Sequence, residues 1–293
     1  MNASVECLHD SKDELGECPV WNDRDQSLYW VDCIGARLSS ITPADGRVRS
    51  WKLPEFPGSF AFRDDAGLVM ALRRGLALVS LGDGTAACTR LDADGFDPDV
   101  QRFNDGACDR RGRFWAGTFD RRLAEPIGSL YRLSRDHSAR RMDTGIMMSN
   151  GIAWSPDDRT MYYTDSRPGR IYAYDFDPDD GAIGNRRVFL DYAGSRSRPD
   201  GCAIDSAGGL WVAEVDGSRA ARYTPQGRLD RVIELPVTRP SSLAFGGSDL
   251  STLFITTLRH GVPEDALHAQ PLAGAVLTAN PGVSGLPQPR FAG

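Results

Sequence analysis

A short strand of aromatic and β-branched residues recurs six times in this 293-residue chain, and the recurrence restricts the fold more than any other feature. The copies are residues 28–32 (LYWVD), 68–72 (LVMAL), 113–117 (RFWAG), 161–165 (MYYTD), 210–214 (LWVAE) and 253–257 (LFITT). They stand roughly 40 to 50 residues apart, the spacing of propeller blades. Most follow a turn such as Asp64-Asp65-Ala66-Gly67 or Ser206-Ala207-Gly208-Gly209, where Gly and Asx supply hairpin conformations. Each copy also follows a short apolar strand led by a polar residue, and precedes a third strand such as 37–41 or 170–174. A fourth strand is readable in five units, for example 186–190 and 230–234, but the sixth unit has none.

A ring of sheets leaves open edges unless its first and last blades are joined. Residues 5–8 (VECL) are a spare strand at the start of the chain, and they are expected to complete the sixth blade. The expected fold is therefore all-β, a six-bladed β-propeller with about four antiparallel strands per blade. Almost no stretch shows a helical period, which removes barrel and doubly wound folds, and a two-sheet sandwich would not explain a six-fold repeat. The one helix-like piece is 263–268, and the absence of any linker makes residues 1–293 one expected domain. The tryptophans and tyrosine of the second strands, Trp30, Trp115, Trp211 and Tyr163, are expected to pack between blades.

The net charge of -6 and a pI near 5.3 argue against nucleic acid or an anionic membrane as partner and leave a small molecule as the expected ligand. The first residues lack the basic segment and apolar core of a secretory leader, and no run reaches the length of a membrane span. A cytoplasmic monomer or weak oligomer is the expectation. Six thinly spread cysteines without a C-x-x-C pair form neither a disulfide framework nor a zinc site, and buried free thiols are expected.

In a propeller the first strand of each blade lines the central channel, so the residues that begin these strands meet at one mouth. Aligning the units puts Glu17, Ser59, Asn104 or Asp105, Asn150, Asp200 and Ser241 at that level. All are polar. Two carboxylates and an amide oxygen converging without a Lys or Arg in the same positions repel one another, and a divalent cation is their natural neutraliser. All-oxygen ligation suits a hard ion such as calcium, magnesium or manganese more than zinc.

Four stretches at these positions, Leu15-Gly16-Glu17-Cys18-Pro19-Val20-Trp21, Arg102-Phe103-Asn104-Asp105-Gly106, Ser149-Asn150-Gly151-Ile152-Ala153-Trp154-Ser155-Pro156-Asp157 and Arg198-Pro199-Asp200-Gly201, resemble the signatures of the regucalcin, or gluconolactonase, family (senescence marker protein-like) of six-bladed propellers. The resemblance runs from Glu14 to Gly285 with the motifs in order. It implies one divalent ion, calcium or another such as magnesium, manganese, iron or zinc, held by Glu17, Asn150 and Asp200. It also implies that Arg102 and Asn104 hold substrate hydroxyls. Some members place an acidic substrate contact shortly after the Gly-Thr of this blade; this chain departs from that pattern, reading Gly117-Thr118-Phe119-Asp120-Arg121-Arg122, and Asp120, or else Glu125, is expected to substitute.

The resemblance implies hydrolysis of a sugar-acid lactone, such as glucono-, galactono-, arabinono- or xylonolactone, to the aldonic acid. In that chemistry the ion polarises the lactone carbonyl, and Asp200 takes a proton from the attacking water as general base. The other reading is a calcium-binding regulatory propeller without turnover, which needs neither Arg102 nor Asn104. Other chemistries lack their residues: Gly82-Asp83-Gly84 is no dinucleotide loop, the 175–186 stretch lacks the Gly and Glu of a calcium loop, and no G-x-S-x-G or H-E-x-x-H occurs.

Overall fold

The computed structural model describes residues 4–293, and the chain forms six four-stranded antiparallel sheets arranged as a ring. The first strand, β1 (Val5–His9), belongs to the last blade. Blade one is β2 (Gly16–Asn22), β3 (Ser27–Asp32), β4 (Arg37–Thr42) and β5 (Arg47–Lys52). Blade two is β6 (Pro57–Phe62), β7 (Leu68–Leu72), β8 (Gly75–Leu81) and β9 (Ala86–Leu91). Blade three is β10 (Gln101–Cys108), β11 (Phe114–Asp120), β12 (Gly128–Leu133) and β13 (Ala139–Ile146). Blade four is β14 (Ser149–Trp154), β15 (Thr160–Asp165), β16 (Arg170–Phe176) and β17 (Ile183–Asp191). Blade five is β18 (Arg198–Ile204), β19 (Leu210–Val215), β20 (Arg219–Tyr223) and β21 (Leu229–Glu234). Blade six is β22 (Pro240–Gly246), β23 (Thr252–Thr257), β24 (Val276–Ala279) and β1.

The spare N-terminal strand closes the ring as expected: β1 lies antiparallel to β24, with Val5 opposite Ala279 and Cys7 opposite Leu277. The expected helix is present as α1 (Glu264–Ala269) in the connection from β23 to β24, with no buried residue of its own. Among the described residues no helix is long and apolar enough to cross a membrane. All six cysteines are free thiols; Cys18, Cys33 and Cys108 are buried, whereas Cys7 on the outermost strand of its blade is exposed.

The core is distributed as seams between blades rather than gathered at a centre. Trp115 packs with Trp154, Tyr163 and Phe176 across blades three and four, and Trp211 packs with Leu243 and Phe245 across blades five and six. These large side chains are fully buried or nearly so, each contributing about 1.5–3 kcal/mol from burial. Three indoles also find an acidic partner. Trp30 Nε1 donates to Asp13, Trp115 to Asp109 and Trp211 to Asp205, at 2.8, 2.9 and 2.9 Å. The same carboxylates pair with Arg37, Arg113 and Arg222, so blades one, three and five each carry an Asp–Trp–Arg cluster.

The C-terminal residues cross the end of the channel opposite the strand starts. Gln288 accepts a hydrogen bond from the Trp21 backbone N–H at 2.7 Å, and the fully buried Phe291 donates from its own N–H to Phe62 at 2.8 Å.

Candidate active site

The six innermost strands, β2, β6, β10, β14, β18 and β22, pack against their neighbours around the axis. Each gains one residue over its hairpin partner near its start. In four blades the extra residue falls between Glu17 and Val20, Phe103 and Gly106, Ser149 and Ile152, and Pro199 and Cys202. A bulge at that point turns consecutive side chains out of the normal alternation, which re-aims the polar residue toward the mouth. Blades two and six have the same irregularity, between Pro57 and Ser59 and between Pro240 and Ser242.

Glycine after the polar residue serves close approach. A Cβ on Gly151 would lie 2.7 Å from the Asp200 carbonyl oxygen, and one on Gly201 would lie 2.2 Å from Ser242 Oγ, so any side chain there would push adjacent blades apart. Blade one has Cys18 in this place, and Cys18 adopts a left-handed φ of 47° that costs about 1–3 kcal/mol. Its thiol is held in the neighbouring blade, 3.4 Å from the Phe60 N–H and 3.6 Å from the Phe60 carbonyl oxygen.

The structure brings the expected ring residues together and divides them by role. Ser59 and Ser241 are fully buried and stitch blades to each other: Ser59 Oγ donates to the Asn104 carbonyl at 2.9 Å, and Ser241 Oγ to that of Gly16. Asn104 Nδ2 donates to the Ser149 carbonyl at 2.7 Å and to Asn150 Oδ1 at 2.8 Å. Asn150 Nδ2 in turn donates to Ser166 Oγ at 2.7 Å, and Ser166 donates to the Pro199 carbonyl. This chain fixes which end of the Asn150 amide is the oxygen. The sequence alone does not single out Ser166, because it lies in the turn after β15, off the six-fold register.

Glu17, Asp105 and Asp200 form no ion pair among the described residues. Arg198, beside Asp200 in sequence, is committed to Asp216 at 3.1 Å. Burial pushes the Glu17 carboxyl well above its ordinary range, and the charges of Asp200 and Asp105 add to the rise. Asp200 is raised well above its ordinary range by burial and then by Asp105. Asp105 is pushed up to about 6 by burial, against the opposing hydrogen bond from the Gly106 N–H at 2.7 Å. The position aligned as Asn104 or Asp105 therefore uses both residues, the amide to orient Asn150 and the carboxylate as a third charge.

This donor set fits a hard divalent cation, since buried oxygens of like charge with no protein cation between them are stabilised by one. Among the described residues no three His, Cys, Asp or Glu side chains would hold an ion on their own, so the set depends on the Asn150 amide oxygen. Behind the ring lies a mainly apolar cavity of about 140 Å³, lined by Cys18, Ile152, Trp154 and Cys202 and bounded by Pro287 and Gln288.

Arg102 lies beside the ring, close enough for its charge to bear on Glu17. Its guanidinium is stacked between the rings of Phe56 and Phe119, at 4.1 and 4.3 Å from their centres, and Nη1 is buried without a partner. Burial lowers its pKa to about 10. Arg102 also lines a second cavity of about 490 Å³, with Phe56, Arg73, Asp99, Arg121 and Arg122. Asp120 does not line that cavity. Its carboxylate accepts the backbone N–H groups of Arg122, Ala124 and Glu125 at 2.9, 2.9 and 3.0 Å, and these bonds hold it below the usual carboxylate range. Glu125 is exposed, and the loop residues that face the cavity are Arg121 and Arg122.

The family described as SMP-30/Gluconolactonase/LRE-like region matches residues 15–259. A 6-deoxy-6-sulfogluconolactonase of Pseudomonas putida is 40% identical over 298 residues, covering 100% of both chains. A regucalcin of Gallus gallus is 35% identical over 100% of this chain and 99% of its own. A solved structure of a calcium-binding protein, regucalcin, from Agrobacterium tumefaciens superposes with a TM-score of 0.92 at 26% identity, covering 99% of this chain and 97% of that one. The chain thus belongs to the SMP-30/gluconolactonase/LRE-like family.

Proposed function

We propose that this lactonase-family chain hydrolyses an aldonolactone to the free aldonic acid, using one divalent ion held by Glu17, Asn150 and Asp200. The observation that carries the reading is the unpaired, mutually repelling pair Glu17 and Asp200 beside an Asn150 amide whose oxygen is fixed by Asn104 and Ser166. When bound, a divalent ion supplies positive charge to the lactone carbonyl oxygen as it develops into an oxyanion.

The remaining work falls to side chains. Asp200 accepts a proton from water as the water oxygen adds to the carbonyl carbon. The ring C–O bond then breaks, and the proton returns from Asp200 to the departing ring oxygen, leaving a hydroxyl and the free acid. Asn104 and Arg102 hold the lactone hydroxyls; Arg102 arrives already fixed between Phe56 and Phe119, so little freedom is lost on binding. Asp120 shapes the loop after β11 through its three backbone contacts. A calcium-binding propeller without turnover would leave the stacked guanidinium and the cavity beside the ring without a role.

Acid release from glucono-, galactono-, arabinono- and xylonolactone tests the reading with the wild type and Asp200→Asn. The variant is expected to retain measurable ion binding while kcat falls by roughly 10²–10⁴-fold, the loss of a general base. Retained kcat would place the base elsewhere.

A further inference from the structure

We propose that Arg73, Arg102, Arg121 and Arg122 form an anion subsite, and that the lactone this protein takes carries a sulfonate or phosphate on its terminal exocyclic carbon. The inference rests on the lactonase reading and adds the substrate class. It starts from a charge imbalance. The whole chain is acidic, with a net charge of -6, yet six residues line the cavity beside the ring and four of them are arginines. The only acid among them, Asp99, pairs with Arg74 at 3.3 Å, outside the lining. None of the four guanidiniums forms an ion pair among the described residues.

The chemistry of the lining then selects the ligand. A sugar hydroxyl both donates and accepts, so a pocket for an uncharged polyol mixes amides, acids and hydroxyls. Guanidiniums only donate, and four of them in one cavity match a group that only accepts through several oxygens and carries negative charge. Like-charged neighbours add to the case: Arg73 and Arg121 each disfavour the charge on Arg102, beyond the effect of its burial. A bound oxyanion would relieve that repulsion.

The arginines come from three segments: the turn after β7, the start of β10 and the turn after β11. Arg73 follows β7 and its N–H donates to Phe56 at 2.9 Å; Arg121 donates from Nη1 to the Pro98 and Asp99 carbonyls at 3.1 and 3.2 Å; and Arg122 sits on the turn that Asp120 fixes. Arg102 is the link between the sites, with its charge felt by Glu17 on one side and its side chain in the cavity on the other. A lactone ring bound over Glu17, Asn150 and Asp200 would then direct its substituted end past Arg102 toward the other arginines. The cavity, at about 490 Å³, lies within the usual range for a small-molecule site.

Two measurements on the metal-loaded enzyme test this. The first compares kcat/KM for glucono-1,5-lactone, its 6-phosphate and its 6-sulfonate, in the wild type and in the double variant Arg121→Gln/Arg122→Gln. The wild type is expected to prefer at least one charged lactone by roughly 10- to 100-fold, the effect of one or two charge-assisted hydrogen bonds. The double variant is expected to lose most of that preference, and Arg121→Lys/Arg122→Lys to keep part of it. Which lactone is preferred separates sulfonate from phosphate. Equal kcat/KM for charged and uncharged lactones would overturn the subsite while leaving the lactonase reading standing.

The second measurement is calorimetric titration with gluconate, 6-phosphogluconate and its 6-sulfonate analogue, which needs no turnover. Tighter binding of either acid that carries the terminal anion, lost in the Gln variant, supports the subsite even if no lactone is hydrolysed; affinities equal to that of gluconate overturn it. Both arginines are exposed, and the variant's thermal melt checks that it remains folded.

Discussion

Asp205 is fully buried and accepts hydrogen bonds from the Gly209 N–H, the Trp211 indole and the Arg222 guanidinium. Burial alone would raise its pKa, but Arg222 first, then the Gly209 and Trp211 donors, outweigh it and leave the carboxyl below its usual range. A depressed folded value means that the stabilisation is present above the unfolded pKa and is lost as pH falls through the folded one. Asp205→Asn leaves the buried Arg222 with Asp230 alone, and a loss of about 3 kcal/mol is expected, the lower end for breaking a buried pair. Urea unfolding reads this as a lower midpoint at unchanged slope; an unchanged midpoint contradicts it. The indoles were legible in sequence as packing residues, but their acidic partners were not. Asp109 and Asp205 each precede their tryptophan by the same interval, a signal present in hindsight, whereas Asp13 reaches Trp30 from the loop before β2. Likewise Asp200 was visible as a carboxylate before a glycine, but Ser166 has no pattern of its own and matters only because the ring places it between Asn150 and Pro199.

At the scale of the element, the second strand of each blade is readable because it is buried along nearly its whole length and so reads as a continuous aromatic and β-branched run between Gly and Asx turns. The bulges were not readable. An extra residue on β2, β10, β14 or β18 exists only relative to the hairpin partner, and sequence carries no pairing register. The closing strand was inferred from a missing one, an argument about edges, and β1 occupies that edge. Deleting residues 4–10 would expose the edge of β24 to other chains. A lower melting temperature and concentration-dependent light scattering are expected, and a variant that melts like the full chain without scattering contradicts a protective role for β1 at that edge. The acidic position expected after Gly117-Thr118 shows what letters alone leave open, namely the direction a side chain takes. Asp120 is present, yet its backbone bonds turn it into the loop and leave Arg121 and Arg122 facing the cavity.

Over the whole molecule, six blades each deliver one strand start to the same mouth, and the consequence is electrostatic. Glu17, Asp105 and Asp200 are all raised by burial and, for Glu17 and Asp200, by their neighbours' charges. Raised folded values mean that, without metal, the ring's contribution to stability is complete below the unfolded carboxylate pKa and is lost as pH rises toward the folded values, Asp105 at about 6 among them. A cation competes with those protons, so the rise in melting temperature on adding a divalent ion is expected to be larger at pH 8 than at pH 5. An equal rise at both would contradict the ring as the binding site. Turnover is proposed to depend on an ion at this mouth. This dependence is tested most directly by titrating the metal-stripped protein with calcium, magnesium, manganese or zinc while following acid release from an aldonolactone. Negligible release is expected from the stripped protein, with a rise that saturates at one ion per chain with at least one of these metals. Full activity in the stripped protein, unchanged by every ion, would contradict it.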